Sequence, residues 1–206
     1  MEHSTNQPNN KEPKNQEIEI RALLNPKQRS AMEASLTNKG ANYLGSKHII
    51  DMYLCPVGVK SFQEIEMHEV GSFSLRIREQ SSEGKTKVEV NTKMITNEGD
   101  HNAWEEHEVS VSSFAEVVAI FHTIGFKSYF TLEKERNMYQ LDNMTVCLED
   151  IVDFGPVVEV EVIASQSESQ QAKQQISQFL TSIGVTQDQF VAKSVTNMLM
   201  QEKTKF

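Results

Sequence analysis

Glu17-Ile18-Glu19-Ile20-Arg21 sets two carboxylates and a guanidinium at alternate positions with isoleucines between them. In an extended strand successive side chains point to opposite faces, so Glu17, Glu19 and Arg21 share one face and Ile18 and Ile20 the other. The same period of two returns along the chain. Leu75 and Ile77 oppose Arg76 and Arg78, and Val88 and Val90 oppose Lys87, Glu89, Asn91 and Lys93. Val109 and Val111 oppose Glu106 and Glu108, Lys134 and Arg136 fall together, and Val158, Val160 and Val162 oppose Glu159 and Glu161. Strands are predicted over residues 17–21, 73–79, 87–95, 105–111, 130–136, 144–149 and 157–164. Short links such as Ser82-Glu83-Gly84 join them, so the fold class is α+β with a mainly antiparallel sheet.

Alternation by itself is the ordinary pattern of a sheet with one wet face. Here, however, the polar positions repeat like charges in pairs: Glu-Glu three times, Arg-Arg once and Lys-Arg once. Like charges two residues apart repel unless opposite charges or metal ions lie close by. A sheet closed into an antiparallel barrel answers this by bringing the Glu pairs against the Arg and Lys pairs. Its interior is then charged, and its apolar face turns outward to the helices. Such a tunnel suits a polyanion bound with a hard divalent cation. Carboxylates would hold Mg²⁺ or Mn²⁺, and guanidinium and ammonium groups the phosphate oxygens.

Four helices flank the strands. Asn25-Pro26 offers an N-cap and a first-turn proline, with Gly40 as the stop. Ser113-Phe114-Ala115-Glu116 reads as a capping box opening a helix through Thr123, closed at Gly125. Ala172, Ile176, Phe179, Leu180 and Ile183 mark a third helix. Thr186 is read as the cap of a last one carrying Phe190, Val195, Met198 and Leu199.

With 29 Asp+Glu against 20 Lys+Arg in 206 residues, the chain is a poor candidate for wrapping nucleic acid. No apolar run is long enough for a membrane span, and the N-terminus lacks the apolar stretch of a signal peptide. Cys55 and Cys147 match neither a disulfide framework nor a zinc spacing, which points to a reducing, cytoplasmic setting. Residues 1–15 carry no large apolar side chain after Met1, so a disordered tail is expected ahead of one domain over 16–206.

Glu17-Ile18-Glu19-Ile20-Arg21 resembles the E-x-E-x-K signature of the CYTH superfamily, the triphosphate tunnel metalloenzymes. Leu75-Arg76-Ile77-Arg78 looks like that family's basic strand and Thr92-Lys93 like its lysine strand. Glu106 and Glu108 match its acidic strand, and Lys134-Glu135-Arg136 its K-x-R motif. Gly155-Pro156-Val157-Val158-Glu159-Val160-Glu161 resembles the closing G-x-x-x-E-x-E strand. The likeness covers roughly residues 17–200. Arg21 stands where lysine is usual, Glu149 where aspartate is, and Val195 where tyrosine is common. The His-Phe pair found upstream of the signature in class IV adenylate cyclases is missing. These departures bear on substrate and reaction more than on fold.

The resemblance implies that Glu17, Glu19, Glu159 and Glu161 hold the metal, with Glu106, Glu108 and Glu149 completing or positioning the cluster. It implies that Arg21, Arg76, Arg78, Lys93, Lys134 and Arg136 clamp a small-molecule triphosphate, with Lys134, Arg136 and Arg21 nearest the chemistry. The expected activity is a metal-dependent triphosphatase, in a monomer or homodimer. A class IV adenylate cyclase and a non-catalytic polyphosphate sensor are the alternatives. His107, Glu133 and Glu135 fall on the opposite face from the charged set, and Met138, Met144, Met198, Met200 and Tyr139 are read as packing residues.

Overall fold

The computed structural model describes residues 16–67, 69–95, 104–191 and 195–201. The tail expected over 1–15 lies outside them. The strands are β1 (Gln16–Leu23), β2 (Asn42–Pro56), β3 (Phe73–Ser82), β4 (Lys85–Ile95), β5 (Trp104–Val111), β6 (Phe126–Leu141), β7 (Met144–Ile151), β8 (Gly155–Ala164) and β9 (Phe190–Val191). The helices are α1 (Pro26–Asn38), α2 (Phe114–Thr123), α3 (Ser169–Ser182) and α4 (Val195–Gln201). None is long and apolar enough to cross a membrane.

All strand pairs are antiparallel, in the order β5-β4-β3-β2-β6-β7-β8-β1-β9. The sheet is strongly curled. Lys93 on β4 acts electrostatically on Glu19 on β1, although five strands lie between them in the sheet order. The curl does not end in a closed barrel: among the described residues β1 and β5 share no ladder. Instead β1 gives part of its free edge to β9, through Arg21 opposite Val191 and Ala22 opposite Phe190. The expected closed barrel is therefore not closed by hydrogen bonds among the described residues, which form a rolled sheet. Alternation in sequence assigns faces, whereas closure depends on which edges meet.

The helices cover the outer face, as the inverted patterning requires. Ile18, Val146, Leu148, Val158 and Val160 pack against Met32 and Leu36 of α1 and Ile176 and Leu180 of α3. Leu75, Ile77 and Val88 pack under Phe114, Val117, Val118 and Phe121 of α2. Tyr139 belongs to the first of these cores, donating its hydroxyl to Glu33 at 2.8 Å.

Asn25 caps α1 in a reciprocal box, its side chain accepting from Gln28 N at 2.9 Å while Gln28 accepts from Asn25 N at 3.0 Å. Asn25→Ala should cost about 1 kcal/mol in denaturant unfolding. At α2, Ser113 accepts from Glu116 N at 3.3 Å, half of the box read from the sequence.

The last predicted helix is broken. Thr186 caps only a 3₁₀ turn, Gln187–Gln189, after which Phe190 is extended at φ −70°, ψ 134° and joins β9. Helix resumes at Val195. This short α4, with the 3₁₀ turn Phe62–Glu64, builds a third core on the inner face of the sheet: Val195, Met200 and Phe62 meet Phe130, Leu132, Ile151 and Val157. One end of the rolled sheet thus has an apolar floor. It arises because Leu23, Leu132, Ile151 and Val157 each stand two residues from a charged inward position, Arg21, Lys134, Glu149 and Glu159.

Candidate functional site

Residues directly opposite one another on paired strands point to the same face. The ladders set Glu19 against Glu161 and Arg21 against Glu159, then Arg136 against Glu149. They continue with Arg78 against Glu89, Arg76 against Asn91, Asn91 against Glu108 and Lys93 against Glu106. Lys134 and Arg136 keep one parity on β6, as do Glu17 and Glu19 on β1. Every residue assigned from the sequence to the metal or phosphate set therefore lies on the inner face. Glu133 and Glu135 are exposed outside, as expected, and His107 is exposed beside Glu105 at 2.9 Å. Met138 does not enter the outer core; it lies on the inner face opposite Cys147.

Within that face cations and carboxylates interlock. Arg21 donates from Nε to Glu159 at 2.8 Å, and Arg136 reaches the other oxygen of Glu159 at 3.3 Å. Arg136 Nε also donates to Glu149 at 2.6 Å, and Lys134 Nζ donates to the same oxygen at 2.7 Å. Glu149 is only 1% exposed, so its role here is to anchor Lys134 and Arg136. Burial depresses the Lys134 pKa, more than Glu149 raises it. For Arg136 burial works downward too, but Glu149 and Glu159 outweigh it and hold the guanidinium firmly charged.

One member of this lattice escaped the sequence reading. Asp51 of β2 faces Arg78 and accepts a two-pronged contact from it, Nε at 2.6 Å and Nη2 at 2.7 Å. Arg76 Nε lies 3.7 Å from the same carboxylate and is buried without a hydrogen-bond partner.

The acidic side gathers at β1 and β8. One carboxylate oxygen each from Glu17, Glu19 and Glu161 lie within 4.8 Å of one another. Glu159 and Glu161 extend the group to Cys147 at the same spacing. Burial raises the Glu161 carboxyl to about 8, helped by the hydrogen bond and negative charge of Glu159 and by the charge of Glu17. Glu159 moves the other way: burial would raise it, but Arg21 and Arg136 hold it at about 2. Glu19 is raised, by burial first, against the pull of Arg21. A set of crowded oxygen donors, one of them with its carboxyl lifted by burial and by its acidic neighbours, fits a hard divalent cation. Glu106 and Glu108 do not join this trio among the described residues. Glu106 pairs with Lys93 at 3.4 Å and accepts from Asn91, while Glu108 lies against Glu89.

Sequence comparison matches the CYTH domain over residues 15–195. A search of curated proteins finds no match. Among solved structures, the PH1819 protein of Pyrococcus horikoshii OT3 aligns at TM-score 0.72 and 18% identity, over 91% of this chain and 99% of its own. A protein of Vibrio parahaemolyticus assigned as an adenylate cyclase aligns at TM-score 0.67 and 12% identity, over 90% and 99%. HpAC1 of Hippeastrum, assigned as an adenylyl cyclase and described as having a dominant triphosphatase activity, aligns at TM-score 0.65 and 16% identity, over 92% and 97%. At these identities the likeness concerns the fold. The family match covers most of the chain, and its charged strands stand where the rolled sheet turns them inward: the chain belongs to the CYTH domain family.

Proposed function

We propose that the chain is a metal-dependent triphosphatase that hydrolyses a nucleotide, organic or inorganic triphosphate inside the rolled sheet. The observation that carries this reading is the division of one inner face into a basic side, Arg76, Arg78, Lys134 and Arg136, and an oxygen-rich acidic side, Glu17, Glu19 and Glu161. Glu17, Glu19 and Glu161 would hold Mg²⁺ or Mn²⁺, with Glu159 behind them. When bound, the ion supplies charge neutralisation and polarisation at a phosphoryl oxygen.

The arginines and Lys134 bind and orient the phosphate chain, drawing off negative charge as the terminal phosphoryl group separates. Water oxygen bonds to the terminal phosphorus, the bridging P–O bond breaks, the diphosphate leaves with the bonding pair, and the water's surplus proton passes to solvent. Glu149 holds Arg136 and Lys134 in place ahead of substrate binding, which lowers the cost of orienting them.

Hydrolysis is favoured over cyclisation because a cyclase must also hold the base and ribose. The inner-face aromatics Tyr53 and Phe130 pack on each other at 6.1 Å between ring centroids, in the apolar floor under α4. They are committed to packing rather than to stacking a base. The dominant triphosphatase activity described for HpAC1 points the same way.

The test is product analysis with tripolyphosphate, thiamine triphosphate, ATP and GTP, each with Mg²⁺ or Mn²⁺. Orthophosphate should be released, and tripolyphosphate should compete well with ATP. Cyclic AMP and pyrophosphate as main products, with tripolyphosphate inert, would establish the cyclase instead; tight binding without turnover would establish a sensor.

A further inference from the structure

Arg76 and Arg78 stand two residues apart on the inner face of β3, a spacing at which like charges push each other away. What holds them together is a residue on the neighbouring strand. Asp51 is 1% exposed, and both of its oxygens accept from Arg78, at 2.6 and 2.7 Å. A fork of this kind fixes the plane of a guanidinium as well as its position. Arg76 Nε stands 3.7 Å from one of those oxygens, close enough for attraction and too far for a hydrogen bond. Arg76 Nε is also buried with no acceptor, an arrangement that is costly unless a ligand oxygen fills the gap. The other anchored cations differ: Arg21 donates to Glu159, and Lys134 and Arg136 donate to Glu149.

We propose that Asp51 is the positioning residue of the phosphate clamp: it fixes Arg78 through a two-pronged ion pair and draws Arg76 alongside, leaving Arg76 Nε as the donor for a phosphate oxygen. The proposal rests on the triphosphate reading above. Without Asp51 the two guanidiniums separate, and Arg78 turns toward Glu89, its cross-strand partner on β4. The anion would then have to gather the clamp as it binds, and affinity falls.

The test is calorimetric titration of the full chain with tripolyphosphate in Mg²⁺, well below the melting temperature of each variant. Asp51→Asn should weaken binding at least about tenfold, the scale of a lost charge-assisted contact. The same substitution in an Arg78→Gln background should weaken it much less, because the group that Asp51 positions is already gone. A purely structural role would lower the melting temperature equally in both backgrounds and leave the affinity of the folded protein unchanged; that result overturns the proposal. If Asp51→Asn does not fold, Arg78→Lys decides, since it keeps the charge and loses the fork: at least about tenfold weaker binding is expected, and wild-type affinity overturns the proposal. Wild-type protein that does not bind tripolyphosphate at all overturns the triphosphate reading and this inference with it. Wild-type binding matched by Asp51→Asn overturns the inference alone.

Discussion

Arg136→Ala should reduce phosphate release from tripolyphosphate about a hundredfold or more and destabilise the fold by about 3 kcal/mol. Both effects trace to the same atoms. Arg136 joins Glu149 of β7 to Glu159 of β8, two carboxylates that are 1% and 4% exposed. Removing the guanidinium leaves each with one remaining cation, Lys134 for Glu149 and Arg21 for Glu159. Breaking a buried pair from one side costs about 3–5 kcal/mol when the survivor is left alone; the second cations place this case at the lower end. The activity loss is separable, because in the proposed triphosphatase the same group would carry transition-state charge. Arg136→Lys keeps the charge but cannot contact both carboxylates with one planar fork, so it should recover more stability than turnover. Unfolding in denaturant and phosphate release at a temperature where both variants are folded provide the check. Wild-type turnover by folded Arg136→Ala would remove this residue from the clamp.

The charged lattice was legible because a strand's alternation needs no tertiary information. Glu17 and Glu19, Arg76 and Arg78, and Glu159 and Glu161 each repeat a charge at a spacing of two, and the ladders carry that parity across the sheet. Asp51 was not legible for the converse reason. Its same-face neighbours are Ile49 and Tyr53, and apolar residues occur at both parities through Ile50, Met52 and Leu54, so β2 shows no period of two. A bulge between Tyr43 and Gly45 shifts its register as well. Yet β2 lies between β3 and β6, and it places the basic residues of those two strands on either side of it. The fate of the C-terminal segment was hidden by a local signal that is correct as far as it reaches. Thr186 does cap a turn, but pairing of Phe190 with Ala22 draws the next residues into extended backbone. Edge contacts of this kind, like the lack of a β1–β5 ladder among the described residues, depend on the whole rolled sheet and leave no periodic trace.

In metal-free protein the melting temperature should fall as pH rises from about 5.5 to about 8.5, and Mg²⁺ or Mn²⁺ should raise it more at the upper pH than at the lower. The sign follows from Glu161, whose carboxyl is lifted from its ordinary 4.5 to about 8 by burial and by the neighbouring Glu159 and Glu17. Between those values the native state keeps a proton that the unfolded chain has released. Stability from this group is thus complete below the unfolded value and is lost as pH climbs through the folded one. Glu159 has the opposite sign in a different window. Arg21 and Arg136 hold it at about 2 against its burial, so its contribution is complete above 4.5 and disappears only as pH falls toward 2. With Glu159 held low and Glu161 lifted, raising the pH through the Glu161 value adds negative charge beside Glu17 and Glu19. A divalent cation relieves that crowding by taking the place of the proton, which is why its stabilising effect should grow with pH. Glu161→Gln keeps the shape of the side chain without a titrating group. It should flatten the metal-free profile and shrink the gain from Mg²⁺, as thermal unfolding in EDTA and in millimolar Mg²⁺ would record. An unchanged slope in Glu161→Gln would place the titration elsewhere, and an equal metal effect at both pH values would separate the cation from the Glu17–Glu19–Glu161 group.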